Sequence, residues 1–184
     1  MKIVMANKYF FIKGGAENSF FQTAKLLTKK GHEVVFFSIQ DHRNFSSVYE
    51  KYFISPVDFD NHSLINIVKT SARILYSLEA RKKIEQLIET ERPQIAHLNN
   101  IYHQISPSII HSLRKNKIPI IMSLRDYKLV CASYSMAVGG RVCEACQNGK
   151  YYNCFIKSCV KGSRFKSLLN TVEMYLHHNV LRIY

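Results

Sequence analysis

Three groups of residues in this chain have the types and spacing for chemistry. The first is Lys13-Gly14-Gly15-Ala16-Glu17-Asn18. Adjacent glycines let backbone approach a ligand closely, and the free N–H groups and dipole of a helix starting there favour an anion such as phosphate. Neither GxGxxG nor GxxxxGK[ST] is present, so an ordinary strand-to-helix turn stands as the other reading. The second group is Cys143, Cys146, Cys154 and Cys159, a Cys-x-x-Cys pair followed by a wider pair. Four thiolates suit tetrahedral zinc, and a segment poor in apolar residues would gain order from a structural metal. Four free thiols, or two labile disulfides, are the alternatives. Cys131 stands apart in this pattern and is expected to pack near a strand end. The third group is scattered along the chain: Asn99, Asn100, His103, Arg125, Asp126 and Tyr127.

These residues fall at the joints of a regular plan. Lys2–Ala6 is a short apolar run that reads as a buried strand. Phe20, Phe21, Ala24, Leu26 and Leu27 recur at helical spacing up to Lys29-Lys30-Gly31, a helix stop. Glu33–Ser38 is a second strand. Gln40–Asn61 is aromatic and without period, an irregular loop. Ser63–Glu91 is helical, as one bent helix or two, and ends at Arg92-Pro93. Gln94–Leu98 is a strand. Ser106-Pro107 starts a helix, with serine as N-cap and proline at its first position. Pro119–Leu124 is an apolar strand, expected to be buried on both faces. Alternating strands and helices predict a Rossmann-like α/β fold, a parallel sheet with helices on both faces. Three loops, 8–15, 99–105 and 125–130, then converge beyond the C-terminal ends of the strands, where such sheets bind ligands.

After Cys131 the pattern breaks. Residues 131–162 read as a cysteine-rich insertion carrying Gly139, Gly140, Gly149 and Gly162, and a segment this long without period usually has a function or a staple. Ser163–Tyr184 is helical. Phe165, Leu168, Leu169, Val172, Leu176 and Ile183 form one stripe, part core and part surface for lipid or a further domain, and Leu181 and Tyr184 add exposed apolar surface.

The 184 residues suggest one domain with a real core, at 47% hydrophobic residues. The net charge is +13, and acidic residues thin out toward the C-terminus, where only Asp126, Glu144 and Glu173 follow position 124. Nucleic acid, an anionic membrane surface or phosphorylated substrates would each suit this field, as would solubility alone. Met1-Lys2 leads directly into a strand rather than a secretory apolar region, and no run is long enough to cross a bilayer. A cytoplasmic protein with reduced thiols is expected.

With GGAE at Gly14–Glu17, PQIAHLNNIYHQISPSII at Pro93–Ile110 and RDYKLVC at Arg125–Cys131 in this order, the chain resembles the N-terminal domain of a glycosyltransferase family 4 enzyme, a retaining transferase of the GT-B fold. The resemblance covers essentially the whole chain. It implies an acceptor-binding domain, with Asn99, Asn100, His103 and Tyr127 on the acceptor side. It implies that the loop of Gly14, Gly15 and Glu17 closes on the diphosphate of a nucleotide-sugar donor, held mostly by a second domain. Arg125 and Asp126 take the catalytic positions. The family often has histidine where this chain has Asn99 and Arg125. Arginine stays charged and is no general base. It either holds an acceptor phosphate or developing charge, or pairs with a carboxylate. Asp126 either accepts from a ligand or caps the next segment, and His103 either touches a sugar or is exposed without a role.

The resemblance further implies a glycan or lipid-linked acceptor, a place at the inner face of a membrane, and a chain that alone does not transfer sugar because its donor domain is missing. A small metal-containing α/β module for nucleic acid is the competing class, supported by charge and cysteines. Against it, the basic residues are scattered and not interleaved with aromatics along one face. A nucleotide-binding domain without transfer activity rests on fold alone.

Overall fold

The computed structural model describes residues 1–57 and 63–183. The expected loop end at 58–61, the side chain of Leu64 and the expected exposure of Tyr184 lie outside the described residues. The chain divides into two compact units, Met1–Arg125 and Asp126–Tyr184.

The first unit is built on four parallel strands, β1 (Lys2–Ala6), β2 (Glu33–Phe37), β3 (Ile95–Leu98) and β4 (Ile120–Met122), in the order β2-β1-β3-β4. On β1, Ile3 and Met5 face one side, where they pack with Phe10, Phe53 and with Phe20 and Ala24 of α1 (Gly15–Lys29). Val4 and Ala6 face the other side and are fully buried too, so both faces of the sheet are covered. Helix α1 stops where the lysines and glycine predict, with Gly31 at φ 80° and His32 N–H donating to the Leu27 carbonyl.

The long helical stretch is two helices, α2 (Leu64–Leu75) and α3 (Leu78–Glu91). Ser77 separates them, its hydroxyl accepting from the Ala80 N–H at 3.1 Å as a new N-cap. Arg92, left-handed at φ 51°, ends α3 ahead of Pro93. Helix α4 (Ser108–Lys115) begins two residues after the expected cap, yet the Ser106 hydroxyl still accepts from the Ser108 N–H at 3.3 Å. One expectation fails at the sheet's end. Strand β4 is not buried on both faces: Ile121 is 54% exposed and Leu124, just beyond it, 61%. Among the described residues β4 is the last strand on its side of the sheet, where the covering of the two faces is incomplete.

The second unit opens with a hairpin of β5 (Ala137–Val138) and β6 (Arg141–Val142). Gly139 and Gly140 both have positive φ, as a tight primed turn requires. Helix α5 (Tyr152–Ile156) packs on α6 (Arg164–Tyr175), and a π-helical turn, Leu176–Val180, continues α6. The expected apolar stripe is divided between core and surface, as its pattern suggests: Ile183 is buried and Leu169 and Leu176 are half-buried. Phe165, Leu168 and Val172 are exposed, whereas Ser167, Asn170, Thr171 and Glu173 are buried with Met174. Leu181 is half-buried rather than exposed. The inward polar groups each find a bond: Asn170 Nδ2 donates to the Ala132 carbonyl, the Thr171 hydroxyl contacts the Tyr151 and Ser167 carbonyls, and the Ser167 hydroxyl accepts from the Val160 N–H. Local carbonyls and amides thus hold these polar groups of the helix inward.

Candidate functional site

The chain leaves β1 toward β2 on one side and β3 toward β4 on the other. Between the C-terminal ends of β1 and β3 the connections therefore diverge, the switch point at which open parallel sheets bind ligands. Asn7 and Lys8 follow β1 there, and Asn99 and Asn100 follow β3. The Lys8 N–H donates to the Asn100 carbonyl at 2.9 Å, and the Asn100 N–H donates to Asn7 Oδ1 at 3.3 Å. Asn7 is fully buried and donates from Nδ2 to the Tyr9 carbonyl at 2.8 Å, fixing the exit of the loop.

Asn99 is 2% exposed, and its backbone N–H donates to the Ala6 carbonyl at 2.9 Å. Neither atom of its side-chain amide has a hydrogen-bond partner in the protein. A buried amide in that condition costs about 1–3 kcal/mol, which makes it a place where a ligand's hydrogen bonds have most to gain.

Gly15 opens α1, and Gly14 is its N-cap in extended conformation, with no side chain capping the helix. A Cβ on Gly14 would meet nothing nearer than Glu17 Oε2 at 3.8 Å, and one on Gly15 nothing within 4 Å. Packing within the chain therefore does not demand this glycine pair, while the pair leaves the helix N-terminus open to close approach. Glu17 is buried in the first turn, its carboxylate beside Gly14. Opposite charge comes from the same loop. Lys13 Nζ donates to the Tyr9 hydroxyl at 3.2 Å and stands 4.5 Å from that ring's centre, with Lys8 Nζ at 5.2 Å from the same ring.

Arg125, following β4, donates from Nη2 to the Ser19 hydroxyl of α1 at 2.9 Å. Ser19 lines a hollow of about 670 Å³ along α1, whose lining mixes the amides and hydroxyls of Asn18, Gln22 and Thr23 with Lys25, Leu26 and Lys29. Behind Arg125, His97 Nε2 of β3 lies 2.7 Å from the Ser123 hydroxyl. Burial, and then the Arg125 charge, push the His97 pKa below its ordinary value. His103 is half-buried at φ 61°, between a Gln104 N–H and a Tyr102 carbonyl bonded at 2.7 Å. This is a three-residue turn of the rarer, strained hand.

The first unit thus gathers Gly14, Gly15, Glu17, Asn99, Asn100, His103 and Arg125 on loops or helix starts that follow parallel strands. Asn7, Tyr9, Ser19 and His97, which position them, carry no sequence signal beyond their polarity. Asp126 and Tyr127 belong to the second unit. Asp126 Oδ1 accepts from the Lys128 N–H at 2.9 Å, a local cap, and Tyr127 is 57% exposed.

Residues 13–128 match the sequence profile of Glycosyltransferase Family 4, a span from the lysine beside the glycine pair to the residue after Tyr127. The chain belongs to glycosyltransferase family 4. It is also similar to an uncharacterized 42.6 kDa protein in the cps region of Klebsiella pneumoniae, 26% identical over 147 residues that take in 71% of this chain and 38% of that protein. The family 4 chain therefore spans well under half the length of this relative. No solved structure matches it.

The cysteines of the family 4 chain need a correction. Among the described residues no three His, Cys, Asp or Glu side chains are placed to hold a metal ion, so Cys143, Cys146, Cys154 and Cys159 do not form the expected zinc site. All five cysteines are free thiols. They pack as small apolar groups: Cys154 is buried with Ala132, Tyr151 and Met174, and Cys146 and Cys159 lie against that cluster. Burial, then neighbouring thiols, push the Cys154 pKa up to about 12, and burial also raises Cys146 and Cys159. Cys143 is not a member of the apolar cluster, and its Sγ lies 3.7 Å from Lys157 Nζ. Cys131 is not the outlier the spacing suggests. It is buried and shares a small hollow with Cys143 and Cys146.

Proposed function

We propose that the chain is the acceptor-binding part of a glycosyltransferase that moves a sugar from a nucleotide-sugar donor to a glycan or lipid-linked acceptor. The observation that carries this reading is Asn99, a buried amide without protein partners at the switch point of a family 4 domain. Asn99, Asn100, His103 and Tyr127 hold the acceptor by hydrogen bonds. Gly14 and Gly15 admit the donor diphosphate to the start of α1, where Lys13 supplies charge and Glu17 sets how closely an anion can settle.

In this reading Arg125 stabilises negative charge developing on phosphate, and Asp126 accepts a hydrogen bond from the reacting partner. A preorganised cation is worth most where it is already held. Arg125 is held by Ser19 on one side, while the neutral His97 behind it does not compete. A second domain, expected in the remainder of a protein as long as the cps-region relative, brings most of the donor contacts, and the product is a polysaccharide or its precursor.

Isothermal titration of the chain and of Asn99→Ala with oligosaccharide and polyprenyl-phosphate-sugar acceptors tests this. Binding by the chain that falls about tenfold or more in the variant is expected. Equal affinity in both would remove Asn99 from the site. Salt-dependent binding to DNA with no glycan binding would replace the reading by an anion-binding module. Release of nucleoside diphosphate in step with glycan product, by this chain alone, would show that no second domain is needed.

A further inference from the structure

Helix α6 is inside out. Its inward side carries Ser167, Asn170, Thr171 and Glu173, and its outward side carries Phe165, Leu168 and Val172, which are 55%, 44% and 42% exposed. Spacings of three and four residues place these three on one helix face. Helix α5, packed along α6, exposes Phe155 and Ile156 as well. The polar groups already satisfied inside leave α6 no route to bury this face by rolling over.

The charges around this face have one sign. Lys150, Lys157, Lys161, Arg164 and Lys166 are all exposed, and no acidic residue occurs between Glu144 and Glu173. Glu173 itself is fully buried, with Lys128 Nζ 2.6 Å from its Oε2. An apolar face whose exposed charged neighbours along the chain are all cations complements a surface that is apolar beneath and anionic on top. A lipid bilayer with acidic headgroups has that layering.

We infer that the outward face of α6 docks on the anionic surface of a lipid bilayer, with Phe165, Leu168 and Val172 below the headgroups and Lys161, Arg164 and Lys166 among them. No helix of the described residues is long and apolar enough to cross a membrane, so the contact is interfacial. It uses only the second unit and stands apart from the sugar-transfer reading.

Sedimentation of the chain with phosphatidylglycerol–phosphatidylethanolamine vesicles, and with phosphatidylcholine vesicles as control, tests the inference. Strong binding to the anionic vesicles only is expected. The double variant Phe165→Ser/Leu168→Ser should bind on the order of tenfold or more weakly, and Lys161→Glu/Lys166→Glu should lose a similar factor with most of the salt dependence. Both pairs are exposed, so unchanged circular dichroism and melting serve as the folding control. The chain has no tryptophan, so Phe165→Trp gives a single indole emission that should shift to the blue when anionic vesicles are added. Absence of binding, binding indifferent to the double serine variant, or an indole emission that does not shift would each overturn the inference. So would self-association broken by the same serines, since the face would then be covered by a second copy.

Discussion

The guanidinium of Arg125 reaches back to the Ser19 hydroxyl at 2.9 Å, tying the residue after β4 to the second turn of α1. The same charge helps keep His97 neutral, after burial itself. Arg125→Gln should therefore raise the His97 pKa, read by NMR titration of its ring protons. The sign for stability follows. A folded-state value below the ordinary 6.5 contributes stability that is present above pH 6.5 and is lost as pH falls through the folded value. In the full enzyme, Arg125→Gln should lower turnover about a hundredfold if the cation stabilises the leaving phosphate, measured as nucleoside diphosphate released.

Lys128 and Glu173 form an ion pair with almost no exposure, Nζ to Oε2 at 2.6 Å, and His177 Nδ1 lies 3.9 Å from the other carboxylate oxygen. Lys128→Met alone should destabilise the second unit by about 3–5 kcal/mol, because it leaves a carboxylate buried without its cation. The double variant Lys128→Met/Glu173→Leu should recover much of that loss. Urea denaturation of the three proteins checks both, and a double variant as unstable as the single one would show that the pair itself is stabilising.

Asn99 gives a prediction in which stability and binding part company. Asn99→Leu keeps the volume and removes the unpartnered amide, so the melting temperature should rise, with a gain in stability of up to about 1–3 kcal/mol. Acceptor affinity should fall in the same variant. A lower melting temperature would mean that the amide is satisfied in solution.

Asp41 is held by Arg43, whose side chain donates to both carboxylate oxygens, and its pKa falls to about 2. Its contribution to stability is fully present above pH 3.8 and is lost as pH falls through about 2. Asp41→Asn should flatten the stability curve between those values, as followed by denaturant melts at each pH.

Thiol reactivity distinguishes the packed cysteines from a metal cluster. At pH 8, iodoacetamide should label Cys143 first and Cys154 last, since burial pushes the Cys154 pKa up to about 12. Mass spectrometry of timed samples reads the order. Protection of all four cysteines, reversed by a chelator, would restore the metal.

Much of the first unit was legible because its signals are local. Strand composition, the Lys29-Lys30-Gly31 stop and the Arg92-Pro93 break each act within a few residues, and the structure has each of them. Positions after parallel strands then locate Gly14, Asn99 and Arg125 without any contact being known. Long-range partners were not legible. Nothing near Ser19 in sequence announces Arg125, and His97 looks like one more strand residue. The exposed face of β4 depended on strand order, which composition does not encode. In the second unit the stripe's split between core and surface was legible, but the inward turn of Ser167, Asn170 and Thr171 was not, since it rests on hydrogen bonds to Ala132, Tyr151 and Val160, residues distant in sequence or without signal. Spacing likewise grouped four cysteines by distance along the chain, whereas in the structure Cys131 joins them, sharing a hollow with Cys143 and Cys146.

The inverted helix also leaves a calorimetric mark. Unfolding exposes polar as well as apolar surface, and the two move the heat capacity in opposite directions. In the second unit, Ser167, Asn170, Thr171 and Glu173 leave a dry interior on unfolding, while Phe165, Leu168 and Val172 were already largely wet. Its heat-capacity increment per residue should thus fall below that of the first unit. Its stability curve would be the flatter of the two, changing little between cold and warm growth conditions.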